Sequence, residues 1–273
     1  MAVVRAPHRV RAALRSGYLA ASEPALLARI RRDAAPLSDE PLVSIPIATF
    51  DRVETVLERT LPALLAQTYE RVEVVLVGDG CPDDVAARLA AVRHPKVRFR
   101  NLRRRTRYPG DPVHRWMVAG SRPRNVGAGL ADGELLLWMS DDDLLYPDAV
   151  ATLLTTLRAD DAEVALGAAD IDPGLDVGAA RSSRLVEPPS AKVWIARSYL
   201  RRFRWSRTSW MKHWNRPCDL DLFARMQHAG VRFVATEGPV CLVLPVDGTT
   251  LHGSAAWVAL HEESERSQAS EGA

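Results

Sequence analysis

The sequence predicts an α/β fold, a mostly parallel sheet flanked by helices, with a smaller lobe toward the C-terminus. Three observations carry that expectation. From Leu42 onward, short and nearly continuous apolar runs alternate with segments of helical period, as strands buried on both faces should read. The chain has 273 residues, 47% of them hydrophobic, enough for one large core or a core plus a smaller lobe. Beyond Asp170 the pattern turns irregular, and 172–190, with Gly174, Gly178, Pro188 and Pro189, reads as a long loop opening a second lobe.

The elements follow in order. Residues 1–40 read as a helical appendage of one or two helices, with Leu26, Leu27 and Ile30 at helical spacing and Pro36 and Pro41 ending it. Strands are expected at 43–48, 72–77, 97–102, 134–139 and 164–168. Between the first two, Val53, Val56, Leu57, Leu61, Leu64 and Leu65 form an apolar helical stripe, in which Pro62 must kink the helix or start a new one. Further helices are expected at 83–93, from Ser121 to near Gly133 with Pro123 in the first turn, and after Pro147. The resulting division is 1–40, an α/β domain at 41–170, a second lobe at 171–260 and a disordered tail at 261–273.

Charge excludes several classes. The 36 basic and 34 acidic side chains leave a formal charge of +2, so there is no general signal for nucleic acid. No apolar run approaches the roughly 18 residues that cross a bilayer, which leaves at most peripheral membrane contact. Lysine occurs only at 96, 192 and 212; arginine supplies the rest of the positive charge. That bias runs through the whole chain, so the arginine-rich, acid-free stretch 1–22 is not read as a transit peptide. Cys81, Cys218 and Cys241 are odd in number and widely spaced, which suits a reducing cytoplasm and neither a disulfide framework nor a zinc site.

The chemistry concentrates at strand ends. In an open parallel sheet, ligands bind beyond the carboxyl ends of the strands. The first strand ends in Thr49-Phe50-Asp51-Arg52, the second in Gly78-Asp79-Gly80, and the fourth in Ser140-Asp141-Asp142-Asp143. Adjacent carboxylates repel, so three together call for a cation, and hard oxygens suit Mg2+ or Mn2+ with phosphate oxygens completing the shell. Asp79 between glycines fits a backbone that comes close to a flat ligand while its carboxylate accepts hydrogen bonds from base or ribose. Taken singly, Asp51, Asp83 and Asp143 could be helix caps. Acids at three strand ends favour a shared site.

The stretch from Leu42-Val43-Ser44-Ile45-Pro46-Ile47-Ala48 through Asp51, together with Leu65-Ala66-Gln67-Thr68-Tyr69, Gly78-Asp79-Gly80, Arg124-Asn125-Val126-Gly127 and the acidic cluster with Pro147, resembles the family 2 glycosyltransferases. These are inverting nucleotide-sugar enzymes of the Rossmann-like GT-A fold. The resemblance implies Thr49 and Asp51 at base and ribose, with Arg52 also on the donor, and Asp79 on the base. It implies Arg124 and Asn125 toward diphosphate or sugar, and Asp141 at ribose and metal. Asp142 and Asp143 become the candidate metal ligands. Ser140 and Gly78 stand where the family usually has aspartates.

In the second lobe, Cys218-Asp219-Leu220-Asp221 is similar to the family's Glu-Asp helix start, which puts Asp219 at the general base; a helix cap is its plain alternative. His252 resembles the histidine that related enzymes place near metal or diphosphate. His213, amid Trp205, Trp210 and Trp214, could line an acceptor pocket, or the tryptophans could be lobe core. The run Arg103, Arg104, Arg105 and Arg107 reads as a solvated loop, with phosphate contact as the other reading. The resemblance thus implies metal-dependent sugar transfer from a nucleoside diphosphate sugar to a hydroxyl-bearing acceptor held by the 171–260 lobe. A sugar-phosphate nucleotidyltransferase would need a glycine-rich basic loop after the first strand, and none is present. A noncatalytic nucleotide-sugar binder is the rival of another class.

Overall fold

The structure is a computed structural model, and it describes residues 6–171, 192–209 and 217–243. Helix α1 spans Ala6–Arg32. Strand β1, Val43–Thr49, leads to a composite helix: α2 at Val53–Thr55, a π turn at Val56–Thr60, and α3 at Leu61–Leu65. Pro62 starts the new helix, as its missing N–H requires, and the widened turn before it closes through Leu61 N–H to Val56 O. Then come β2 Val72–Gly78, α4 Asp83–Ala90, β3 Val97–Asn101, α5 Pro112–Val118, α6 Ser121–Leu130 and β4 Leu135–Trp138. After them run β5 Leu144–Leu145, α7 Ala149–Ala159, β6 Val164–Ile171 and β7 Val193–Arg197 with a 3-10 turn at Ser198–Arg202. Helix α8 Cys218–Ala229 and strand β8 Phe233–Val243 complete the described chain.

One eight-stranded sheet has the order β3-β2-β1-β4-β7-β6-β8-β5. β3, β2, β1 and β4 are mutually parallel, β7 runs against both β4 and β6, β8 is parallel to β6, and β5 is antiparallel to β8. The five expected strands lie where the apolar runs put them. Strands on both sides of residue 170 belong to this one sheet.

The central strands β1, β2, β4 and β7 are buried on both faces, which is why they lack polar alternation, whereas the edge strand β3 alternates, with Arg98 and Arg100 exposed. Along β4, Leu135 and Leu137 face a core shared with α2, α3, α4 and α7, while Leu136 and Trp138 face a second core with α8. α1 docks on that second face: Leu27 is buried against it, Glu23 pairs with Arg225, and Arg31 pairs with Glu163. The apolar runs do not announce β5, β7, β8 or α5. β8 hides because Thr236-Glu237-Gly238-Pro239 reads as a turn; the register shifts around Ala168 accommodate it as an irregularity within a continuous strand.

Candidate active site

The carboxyl ends of β1, β2 and β4, the α5–α6 region, the start of β7 and the N-terminus of α8 surround one cavity of about 350 Å³. It lies where the chain leaves β1 on one side for β2 and on the other for β4, the kind of crevice that helix starts and loops turn into a ligand site. Its lining includes Thr49, Asp51, Arg52, Asp79, Arg124, Asp141, Asp142 and Asp219. Acids far apart in sequence thus meet in one place.

The Asp141-Asp142 turn is held from several directions. Thr60 Oγ1 donates to Asp141 O at 2.8 Å; Gln67 Nε2 donates to Tyr146 O at 2.8 Å; Val150 N–H donates to Gln67 Oε1 at 3.1 Å; and Thr68 N–H donates to Pro147 O at 2.8 Å. The Gln67-Thr68 motif therefore anchors the segment just beyond the acids. Arg52 Nη1 donates to Asp141 Oδ1 at 3.2 Å and also pairs closely with Asp142. One guanidinium thus bridges both carboxylates. Burial first, and the Asp142 charge second, push the Asp141 carboxyl up to about 6, against the pull of Arg52, the Thr49 hydroxyl and Arg124.

Asp143 points elsewhere. It is buried and absent from the cavity lining; Ser140 N–H approaches its Oδ2 at 3.4 Å. Burial pushes its carboxyl up to about 6, with the Lys192 charge drawing it down. The cavity therefore offers Asp141 and Asp142. Two hard carboxylates, one of them disfavoured as an anion, fit Mg2+ or Mn2+, which commonly takes one or two carboxylates and fills its other positions with phosphate and water. Among the described residues no group of three His, Cys, Asp or Glu side chains could hold the ion unaided. His252, His213, Trp210 and Trp214 lie outside the described residues.

Asp79 lines the cavity, but its carboxylate already accepts from Thr106 Oγ1 at 2.5 Å, from Thr106 N–H at 3.2 Å and from the Tyr108 hydroxyl. The close backbone approach that the flanking glycines permit is to the chain itself. A Cβ on Gly80, whose φ is +71°, would sit 2.2 Å from Arg105 N, and one on Gly78 would sit 2.6 Å from Asn101 Oδ1 and Cys81 Sγ. Asp79 thus clasps the 104–108 segment. That clasp brings Arg105 over the Phe50 ring at 3.4 Å and into the lining, so one arginine of the run belongs to the site.

Asn125 also works on the chain: Nδ2 donates to Trp205 O at 2.9 Å and Oδ1 accepts from Trp205 N–H at 3.0 Å. Trp205 is held at the cavity, with Arg124 over its ring at 4.8 Å. Trp138, Trp194 and Trp205 form a continuous aromatic wall, with centroids 5.4 to 6.1 Å apart. Trp205 is thus both core and lining. Asp219 stands in the first turn of α8, where a carboxylate suits the helix dipole; its Oδ1 accepts from Leu220 N–H at 2.9 Å, and the N-cap itself is Pro217. Burial pushes the neighbouring Cys218 thiol up to about 12, so it takes no part as an acid or base at neutral pH.

Tyr108, Trp138, Lys192 and Trp194 also line the cavity, and no sequence motif marks them as site residues. A tryptophan at the end of the strand that leads into the acids, as at Trp138 three residues before Asp141, is the available signal. Trp194 on β7 and Lys192 just before it enter at the start of that strand, and no motif marks it.

Residues 41–208, more than half of the chain, match the family described as "Glycosyltransferase like family 2". The succinoglycan biosynthesis protein ExoO of Rhizobium meliloti is 30% identical over 131 residues, 48% of this chain and 34% of its own length. The glycosyltransferase GlyG of Streptococcus pneumoniae is 24% identical over 126 residues, 46% of this chain and 38% of its own length. The chain spans about a third of each of these relatives. Among solved structures, S. aureus TarS 1–349 in complex with UDP-GlcNAc superposes with a TM-score of 0.57 at 16% identity, covering 77% of this chain and 60% of that one. The mannosyltransferase PcManGT from Pyrobaculum calidifontis, in complex with GDP-Man and Mn2+, gives 0.55 at 16% identity, covering 84% and 67%. Those likenesses establish the fold. With its acidic strand ends gathered in the crevice and its matched span covering most of the sheet, the chain belongs to the family 2 glycosyltransferases.

Proposed function

We propose that this chain transfers a sugar, with inversion, from a nucleoside diphosphate sugar to an acceptor hydroxyl, assisted by Mg2+ or Mn2+. The observation that carries the reading is the cavity shared by Asp51, Asp141 and Asp142 at strand ends and Asp219 at a helix start. Asp51 and Thr49 would take the nucleoside, on the side that Asp79 shapes through Thr106 and Tyr108. Arg124 would meet the diphosphate or sugar, and Arg52 would turn toward the donor once a cation shares Asp141 and Asp142. Asp142 with Asp141 would hold the cation, which when bound would supply neutralisation of the charge that develops on the departing diphosphate. Structural neighbours of the same fold, solved with UDP-GlcNAc or with GDP-Man and Mn2+, support that donor class.

A single displacement needs one group to take the acceptor proton as its oxygen attacks the anomeric carbon. Asp219 would meet that need from the first turn of α8, and the tryptophan wall offers flat faces for sugar rings. The 171–260 segment would then hold the acceptor. A cytoplasmic setting agrees with the three cysteines, all of them free and buried.

The test is a comparison of wild type with Asp219→Asn, assayed for diphosphate release and sugar transfer over a panel of uridine, guanosine and thymidine diphosphate sugars with Mn2+. Loss of a general base is expected to lower turnover by about 10²–10⁴-fold while donor affinity stays within a few-fold. Wild-type turnover in Asp219→Asn would refute the base assignment. Absence of donor turnover in wild type across the panel and a broad acceptor set would refute the transfer reading.

A further inference from the structure

The exposed large hydrophobic side chains among the described residues all belong to one helix. Val10, Leu14 and Tyr18 on α1 are 57%, 70% and 71% exposed. Spaced four apart, they fall within an arc of about 80° at the 100° step of an α-helix. Ala12, Glu23 and Leu27 are buried on the opposite face, so the apolar stripe points away from the body of the protein. Arg11 and Arg15, both exposed, border it along one edge. The first carboxylate after the N-terminus is Glu23, buried against Arg225, so no acid on this half of the helix offsets the arginines.

An apolar stripe edged by uncompensated arginine has few suitable partners. In a symmetric contact between two copies, the stripe would meet itself and bring like charges together. The helix does not cross a bilayer, for no described helix is long and apolar enough. Lying in the surface of one satisfies both halves of its chemistry. The stripe enters the boundary between headgroups and acyl chains, tyrosine sits at headgroup level, and guanidinium groups meet lipid phosphates.

We propose that the outward face of α1 docks this protein on an anionic lipid surface, with Val10, Leu14 and Tyr18 inserted and Arg11 and Arg15 on the phosphates. Three inserted side chains and two charges along one edge make a weak, reversible anchor that depends on acidic lipid. The inference is independent of sugar transfer.

The test is co-sedimentation of the full chain with vesicles of phosphatidylcholine alone and of phosphatidylcholine with about one-third phosphatidylglycerol. Partitioning onto the acidic vesicles should be at least ~10-fold stronger and should fade as salt rises. The variants Leu14→Gln/Tyr18→Ser and Arg11→Gln/Arg15→Gln should each weaken it by about 10-fold, with thermal unfolding unchanged because all four side chains are exposed. Equal partitioning to both compositions, no binding to either, or unaltered binding in both variants would overturn the proposal. So would a fall in oligomeric mass in Leu14→Gln/Tyr18→Ser without a change at vesicles, which would assign the stripe to a second copy.

Discussion

Gly78 ends β2 at a point where the chain folds back on itself. Asn101 is locked there by Cys81, whose N–H donates to Oδ1 at 2.9 Å and whose carbonyl accepts from Nδ2 at 3.2 Å. A methyl at Gly78 would meet that amide and the Cys81 sulfur at 2.6 Å, so Gly78→Ala should cost about 1–3 kcal/mol, measured by urea unfolding against wild type. The family's usual aspartate does not fit this neighbourhood, and the departure is a matter of space. The same scale shows how much of the site was legible. Acids placed at successive strand ends could be read as a group, because strand ends in a parallel sheet share one edge. The direction of each side chain could not. Within the 140–143 turn no period tells Asp142, at the cavity, from Asp143, packed behind it; and Asp79 and Asn125, expected on the donor, spend hydrogen bonds on the chain.

At the scale of elements, α1 is tied to the sheet through Glu163, the residue before β6. Its carboxylate accepts from Arg31 Nε at 2.7 Å, from the Tyr199 hydroxyl at 2.6 Å and from Arg232 N–H at 2.9 Å, linking α1, the 3-10 turn and the approach to β8. Burial alone would raise its pKa; Arg31, Tyr199 and the Arg232 N–H overcome that and hold it below the ordinary 4.5. A depressed carboxylate adds stability that is full above the unfolded value and is lost as pH falls through the folded one. Glu163→Gln should therefore destabilise the fold by about 3 kcal/mol at pH 7, since it leaves Arg31 facing a neutral amide. The gap between variant and wild type in denaturant titrations should stay constant down to about pH 5 and narrow below it. This coupling explains what the sequence hid. Apolar runs announce strands one at a time, but the pairing of β7 between β4 and β6, and the docking of α1 beside α8, depend on long-range partners such as Glu163 and Arg225, which carry no local signature.

For the whole molecule, the site exists only when the sheet is assembled, because Asp51, Asp142 and Asp219 come from segments separated by scores of residues. A ligand spanning them binds the folded state and not the unfolded one, so it must raise the unfolding temperature. At about 100 times its dissociation constant the matching donor should add about 2.7 kcal/mol, roughly 6 °C for a chain of this length. Most of that rise should require Mn2+, since without a cation Arg52 remains engaged with Asp141 and Asp142 and the diphosphate meets two carboxylates. Asp142→Ala is expected to abolish the metal-dependent part of the shift, and Asp219→Asn to preserve it, in differential scanning fluorimetry with and without Mn2+. A donor that stabilised Asp142→Ala as fully as wild type would remove the cation from the reading, whatever the fate of Asp219; equal shifts with and without Mn2+ in wild type would do the same.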